Sequence, residues 1–192
     1  SGFRNALVSP DRDERRSWIS GLIEDVRSYL GLALHRIIER GEVKISIDEY
    51  DTESAQTGSA RGVPALDPLP QGTSAARSYR FVGETGGKPF DMRAVILTGG
   101  AHDLPGVSAS RRLSTTEGGQ GLYIYRNDRL LQLGGWNSVL SGGRDYANLR
   151  IAMSIDDRLL DVVRINPEKS GVVLEPEMRR AIHDSVCEEI GT

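Results

Sequence analysis

Between Asp11 and Arg40 an apolar side chain returns every fourth residue, as Trp18, Leu22, Val26, Leu30, Leu34 and Ile38, with Ile19, Ile23 and Ile37 beside them. At 3.6 residues per turn this spacing gathers them on one stripe, which predicts a single long amphipathic helix that must bury that stripe against something else. Ser9-Pro10-Asp11 supplies a start signal and Gly41 a stop, while Gly21 and Gly31 are the expected weak or bending points. Directly after it, Glu42-Val43-Lys44-Ile45-Ser46-Ile47-Asp48 alternates polar and apolar side chains with period two, the pattern of a half-buried strand. The chain is thus constrained from its first third to pack a helix on a sheet.

Residues 52–76 lack periodicity and are rich in Ser, Gly, Pro and Ala, which predicts a long loop whose one ordered spot is Leu66-Asp67-Pro68-Leu69. Tyr79 to Val82 and Met92 to Leu97 read as paired strands joined through Gly86-Gly87-Lys88-Pro89. A second loop spans 99–119. Then Leu122 to Arg126 and Arg129 to Leu133 flank Asn127-Asp128, the clearest hairpin in the chain. Leu149 to Ile155 alternates again, Leu160 to Ile165 adds a short strand, and Glu175-Pro176-Glu177 opens a helix running to about Glu189. This order predicts an α+β fold, a mainly antiparallel sheet with a long N-terminal helix and a C-terminal helix, both on one face.

The 192 residues fit one domain, with twenty-two glycines and eight prolines pointing to a loop-rich, modestly cored protein. A net charge of −3 argues against non-specific nucleic-acid binding. The single Cys187 excludes an intramolecular disulfide framework, and no Cys/His cluster has zinc spacing. No apolar run reaches the roughly 18 residues of a membrane span, and no secretory leader is present, so the expected setting is cytoplasmic, away from membranes. Ser1-Gly2 has the look of a scar left by tag removal, which makes the chain an expected fragment of something longer.

Chemistry-bearing residues are sparse. His35 and His183 lie on the two helices and read as packed or solvated. His102-Asp103, in a loop, is an acid–base pair in sequence and supports a small-hydrolase reading. Gly118-Gly119-Gln120-Gly121 has neither a Lys-Ser/Thr continuation nor a following helix to hold phosphate, and reads as a loop entering a strand. Gly134-Gly135 and Gly142-Gly143 read as turns around a buried Trp136. Arg111, Arg112, Arg126, Arg129 and Arg144 are candidates for a basic patch that would leave nucleic acid as a partner. Lys169, in Asn166-Pro167-Glu168-Lys169-Ser170, is by residue type a solvated loop charge.

Taken together, Gly121 to Leu131, Gly134-Gly135-Trp136 and Asn148 to Ile151 resemble GHKL-type ATPases, the superfamily of gyrase B, the heat-shock chaperones, histidine kinases and MutL, and most of all its bacterial and MORC-like members. The helix end His35-Arg36-Ile37-Ile38, the strand Val43 to Ile47 and Leu66-Asp67-Pro68-Leu69 are similar to the exit from their nucleotide-binding domain, and Asn166 to Ser170 is similar to their lysine loop. The resemblance spans Ser28 to Leu174 and implies a transducer domain with the fold of domain 2 of ribosomal protein S five. On that reading residues 1–41 are the connecting helix from an ATP-binding domain, residues 42–192 are the transducer, and Lys169 is the catalytic and nucleotide-binding residue that reaches the γ-phosphate. ATP and Mg2+ are then cofactors of the full-length protein only, and the partners are the preceding ATP-binding domain of the same chain, a second copy in an ATP-dependent homodimer, and a nucleic acid or client protein. No Glu-plus-Asn helix motif, Asp-x-Gly-x-Gly adenine site or glycine-rich lid occurs, so the fragment is expected to be inactive alone, and 52–63 departs from the family as an insertion. The other readings are a stand-alone α+β binding or oligomerisation module without any role for ATP, and the hydrolase using His102 and Asp103.

Overall fold

The computed structural model describes residues 11–52, 54–69, 76–97, 119–141, 146–165 and 171–190. The long helix starts where the sequence puts it. Asp11 caps it, its Oδ1 accepting from the backbone N–H groups of Asp13 at 2.8 Å and Glu14 at 3.4 Å, and the carboxylates of Asp13 and Glu14 favour the first turn of the dipole. Helix α1 runs Arg12–Ala33, breaks at Leu34, whose φ of −118° and ψ of 13° are not helical, and resumes as α2, His35–Glu39. The break is therefore not at either glycine. Gly31 serves close approach instead: a Cβ there would lie 2.5 Å from the carbonyl oxygen of Pro64, and its own carbonyl accepts the Leu66 N–H at 3.1 Å.

The strand expected over Val43 to Ile47 contracts to β1, Ser46–Ile47, because its partner is equally short: β4, Arg61–Gly62. A second two-residue pair, β2 (Tyr50–Asp51) with β3 (Gln56–Thr57), lies between them in sequence. The segment read as a structureless loop is thus partly a small β arm. Arg27 fastens it to α1 by donating from Nε (2.9 Å) and Nη2 (2.6 Å) to the carbonyl of Gly62.

Five strands form the main sheet in the order β5-β6-β9-β7-β8: β5 Ala76–Thr85, β6 Lys88–Leu97, β7 Gly121–Arg126, β8 Arg129–Leu133 and β9 Leu149–Ser154. Both expected hairpins close through two residues of positive φ, Gly86-Gly87 (55° and 74°) and Asn127-Asp128 (48° and 59°), the handedness that matches strand twist. All pairings in the sheet are antiparallel except β7 with β9, which is parallel. Strand β9 thereby joins the two hairpins into one sheet.

The helices do not share a face. Met92, Ala94, Leu122, Ile124, Ile151 and Met153 pack against Met178, Ile182 and Val186 of helix α3, Pro176–Ile190. The alternate residues Val95, Leu97, Tyr123, Tyr125 and Ala152 pack with Leu69 and with Leu32 of α1 on the other side. Burying both faces is what an unbroken apolar strand such as Leu122-Tyr123-Ile124-Tyr125 requires, and the result is three layers, helix on sheet on helix. Strands β10 (Val163–Ile165) and β11 (Val172–Leu174) form a separate antiparallel pair whose Val163, Val172 and Leu174 join the α3 side of the core.

On α1 the completely buried residue is Leu32, while the ladder member Val26 is 39% exposed. Replacing Leu32→Ala is expected to lower the free energy of unfolding by about 2–5 kcal/mol, whereas Val26→Ala stays within ~0.5 kcal/mol. Urea denaturation of both variants checks this; equal effects would mean that α1 does not dock through its C-terminal turn.

Candidate functional site

A cleft of about 550 Å³ opens between α2, Asp67, and strands β5 and β6, with Tyr125, Ala152 and Ser154 as its floor. Its inner wall is His35, 2% exposed, whose ring Nδ1 lies 2.8 Å from the carbonyl of Leu32. A carbonyl only accepts, so Nδ1 carries the proton and the neutral ring presents its Nε2 lone pair to the Tyr125 hydroxyl at 3.5 Å. Asp67 Oδ1 stands 3.6 Å from the same nitrogen. Burial lowers the His35 pKa most, against the opposing pull of the Leu32 hydrogen bond and the Asp67 charge. Burial likewise raises the pKa of the Tyr125 phenol, which keeps it a neutral donor.

Arg36, Arg80 and Arg93 bring guanidinium groups to the cleft, and further arginines brace its surroundings. Arg36 stacks over the Tyr125 ring with its central carbon 3.4 Å from the centroid, and donates to Ser154 Oγ at 3.0 Å. Beside it Arg40 donates to Asp128 Oδ2 at 2.9 Å, and that bond is the main reason the Asp128 carboxyl lies below its usual range. From β6, Arg93 donates to the carbonyl of Leu69 at 3.2 Å, and from β9 the buried Arg150 donates to that of Pro68 at 2.6 Å. Asp67 Oδ1 accepts the Leu69 N–H at 2.8 Å, a local turn that aims the carboxylate at His35. The site can hold charged and polar groups of a ligand. His35 is too enclosed to carry protons to one, and serves as a wall.

The residues singled out in sequence are mostly elsewhere. Lys169 lies outside the described residues, as do His102 and Asp103 and the arginines at 111, 112 and 144. The strands that bracket Lys169 are described: β10 and β11 pair from Val163↔Leu174 to Ile165↔Val172, Asn137 Nδ2 donates to the Val172 carbonyl at 2.9 Å, and Arg164 pairs with Glu175 at 2.7 Å. His183, exposed on α3, has Asp184 at 3.0 Å and the Cys187 sulfur at 3.7 Å. Gly119-Gln120-Gly121 leads straight into β7, and Trp136 is buried and donates to Gln120 Oε1 at 3.2 Å, both as expected. Arg126 pairs with Asp157 at 2.9 Å. Among the described residues no group of three or more His, Cys, Asp or Glu could hold a metal ion, and no helix is long and apolar enough to cross a membrane.

Sequence reasoning missed the cleft because it draws on α2, Asp67, β5, β6, β7 and β9. Arg93 within Met92-Arg93-Ala94 and Arg150 within Leu149-Arg150-Ile151 were the available signal: charged residues with apolar neighbours on both sides in a strand.

His35 has a pH signature with a definite sign. Its folded pKa lies below the ordinary 6.5, so the unfolded chain takes up the proton first, and stability falls as pH drops through 6.5. Urea denaturation is expected to show stability declining from about pH 7 to about pH 5, and His35→Asn, which keeps a donor for Leu32, to flatten that decline. The lowered carboxylates Asp128, Asp156, Asp161 and Glu24 act only in a more acidic window.

Compared with protein-family models, with curated proteins and with solved structures, the chain matches none of them.

Proposed function

We propose that the chain is the transducer module of a cytoplasmic GHKL-type ATPase, coupling ATP binding and hydrolysis in a preceding domain to dimerisation or conformational change. The observation that carries the reading is the β10–β11 pair. The segment bearing Lys169 joins two strands whose ladder ends at Ile165↔Val172 and whose Val163, Val172 and Leu174 are buried in the core beneath α3. Both ends of that segment are thus anchored to the core through the β10–β11 ladder. Asn137 ties β11 to the turn after β8, through its bonds to the Val172 carbonyl and to Gln132 Oε1 at 2.7 Å, and Glu175 at the start of α3 pairs with Arg164 of β10.

The residue type suits the role. An ammonium on a flexible stem is a compact point charge that approaches a terminal phosphate, stabilises charge developing there, and loses its partner when the γ-phosphate leaves. ATP and Mg2+ would be held by the preceding domain, the working state would be an ATP-bound homodimer, and a nucleic acid or client protein would be the downstream partner.

The test uses the full-length gene product and its Lys169→Ala variant. Removing one charge that contacts the transferring phosphoryl group is expected to lower ATP turnover by about 10²–10³-fold. Nucleotide-dependent dimerisation, followed by analytical ultracentrifugation, should weaken in parallel. Unchanged turnover together with unchanged dimerisation would remove Lys169 from the mechanism and the reading with it.

A further inference from the structure

We propose that the cleft between α2 and strands β5 and β6 is a binding site for a small organic oxyanion, a carboxylate or a phosphate ester, seated between the guanidinium groups of Arg80, Arg93 and Arg36. Nothing in the transducer reading uses this site, which faces the α1 side of the sheet while the β10–β11 pair packs on the α3 side.

The pairing register supplies the first observation. Arg80 and Arg93 stand directly opposite each other on β5 and β6, so their side chains leave the same face at neighbouring positions. Like charges opposite each other across a ladder repel, and among the described residues Arg80 has no ion pair or hydrogen bond that would offset this. Arg36 reaches the same space from α2. Both Arg36 and Arg80 act against the charge on Arg93, which is already disfavoured by burial and supported by Asp67.

Charge balance decides what the cleft accepts. The carboxylates and guanidinium groups lining it are equal in number, but they are not at equal depth. Glu39, Asp91 and Arg80 are exposed to solvent, whereas Arg36, Arg93 and Asp67 lie deeper. Asp67 Oδ1 already accepts the Leu69 N–H. The inner end therefore has an excess of guanidinium, whose planar fork matches the oxygens of carboxylate and phosphate, and the outer end offers acceptors to hydroxyl or ammonium groups of the same ligand. The 550 Å³ volume falls within the roughly 300–1,000 Å³ of clefts that hold small molecules.

The experiment titrates the 192-residue chain with inorganic phosphate in one arm and succinate in the other, by isothermal titration calorimetry at low ionic strength. Saturable binding at one site is expected in at least one arm, and the tighter arm identifies the anion. Arg80→Ala and Arg93→Gln should each weaken it by about tenfold or more, while Arg158→Ala, whose guanidinium pairs with Asp156 away from the cleft, leaves it unchanged. Arg80 is exposed and supports no packing, so its variant decides the matter should Arg93→Gln fail to fold. Non-saturable heats in both arms, wild-type affinity in the Arg80 variant, or an equal loss in the Arg158 variant would overturn the proposal.

Discussion

A guanidinium buried in the middle of the sheet organises this molecule. Arg150 is 1% exposed on β9, at a position where the neighbours Leu149 and Ile151 are apolar. Burial there opposes its charge, and a charged group removed from water must be supplied with hydrogen-bond acceptors. The Pro68 carbonyl, which belongs to no strand, accepts from Arg150 Nη1 at 2.6 Å, and Arg93 engages the next carbonyl, that of Leu69. Two sheet arginines thus pin a segment with no regular structure of its own. Once pinned, Leu69 is fully buried beside Leu32, Val95 and Tyr123, and the turn at Asp67 points its carboxylate toward His35. The cleft wall follows from that chain of contacts.

The same face explains how the long helix is attached. Its apolar ladder promised a seam along the full length, yet most of those residues are only partly covered, and the docking is concentrated where Ile23, Gly31, Leu32 and Ala33 are buried. Gly31 allows the backbone of 64–66 to press against the helix, and Leu34 interrupts it just before His35 enters the core. The break sets the direction of α2, which brings Arg36 over Tyr125 and both Arg36 and Arg40 to Asp128 at the β7–β8 turn. Helix, hairpin and cleft are held by one polar cluster.

Features determined by adjacent residues were legible in the sequence. Asp11 as a cap, Gly86-Gly87 and Asn127-Asp128 as turns, and Pro176 at a helix start each act within a few positions, so their physical preference survives folding. The parallel pairing of β7 with β9 was not legible, because β8 and a further connection separate the two strands and nothing local specifies which neighbour β9 takes. The two-residue rung at Gln56–Thr57 is too short to show any period, whereas the alternation over 42–48 announced a longer strand than the Ser46–Ile47 rung that forms. The expectation of helices on one face failed for a different reason. Leu122-Tyr123-Ile124-Tyr125 is apolar at every position, and that already demanded cover on both sides. For the site, residue type alone marks Lys169 as an ordinary solvated charge, and the role proposed for it rests on a resemblance. His35, Asp67, Arg93 and Tyr125 acquire theirs only when distant segments meet.

Alternation along the central strands divides the labour of the sheet. On β6, Met92 and Ala94 face the core beneath α3 while Arg93 and Val95 face the other side; on β9, Ile151 and Met153 oppose Arg150 and Ala152 in the same manner. Strands β5, β6, β7 and β9, which support the packing of β10, β11 and α3, therefore also present the floor or wall of the cleft. A close-packed interior transmits a displacement of one side chain to its neighbours because it has few voids to absorb it. Coupling between two sites further requires an element with two arrangements, and a stiff sheet by itself provides none. In this chain the non-helical Leu34, between α1 and the residues that line the cleft, is the position whose backbone departs from its neighbours, so any linkage of the cleft to an adjoining domain through the long helix must pass through it.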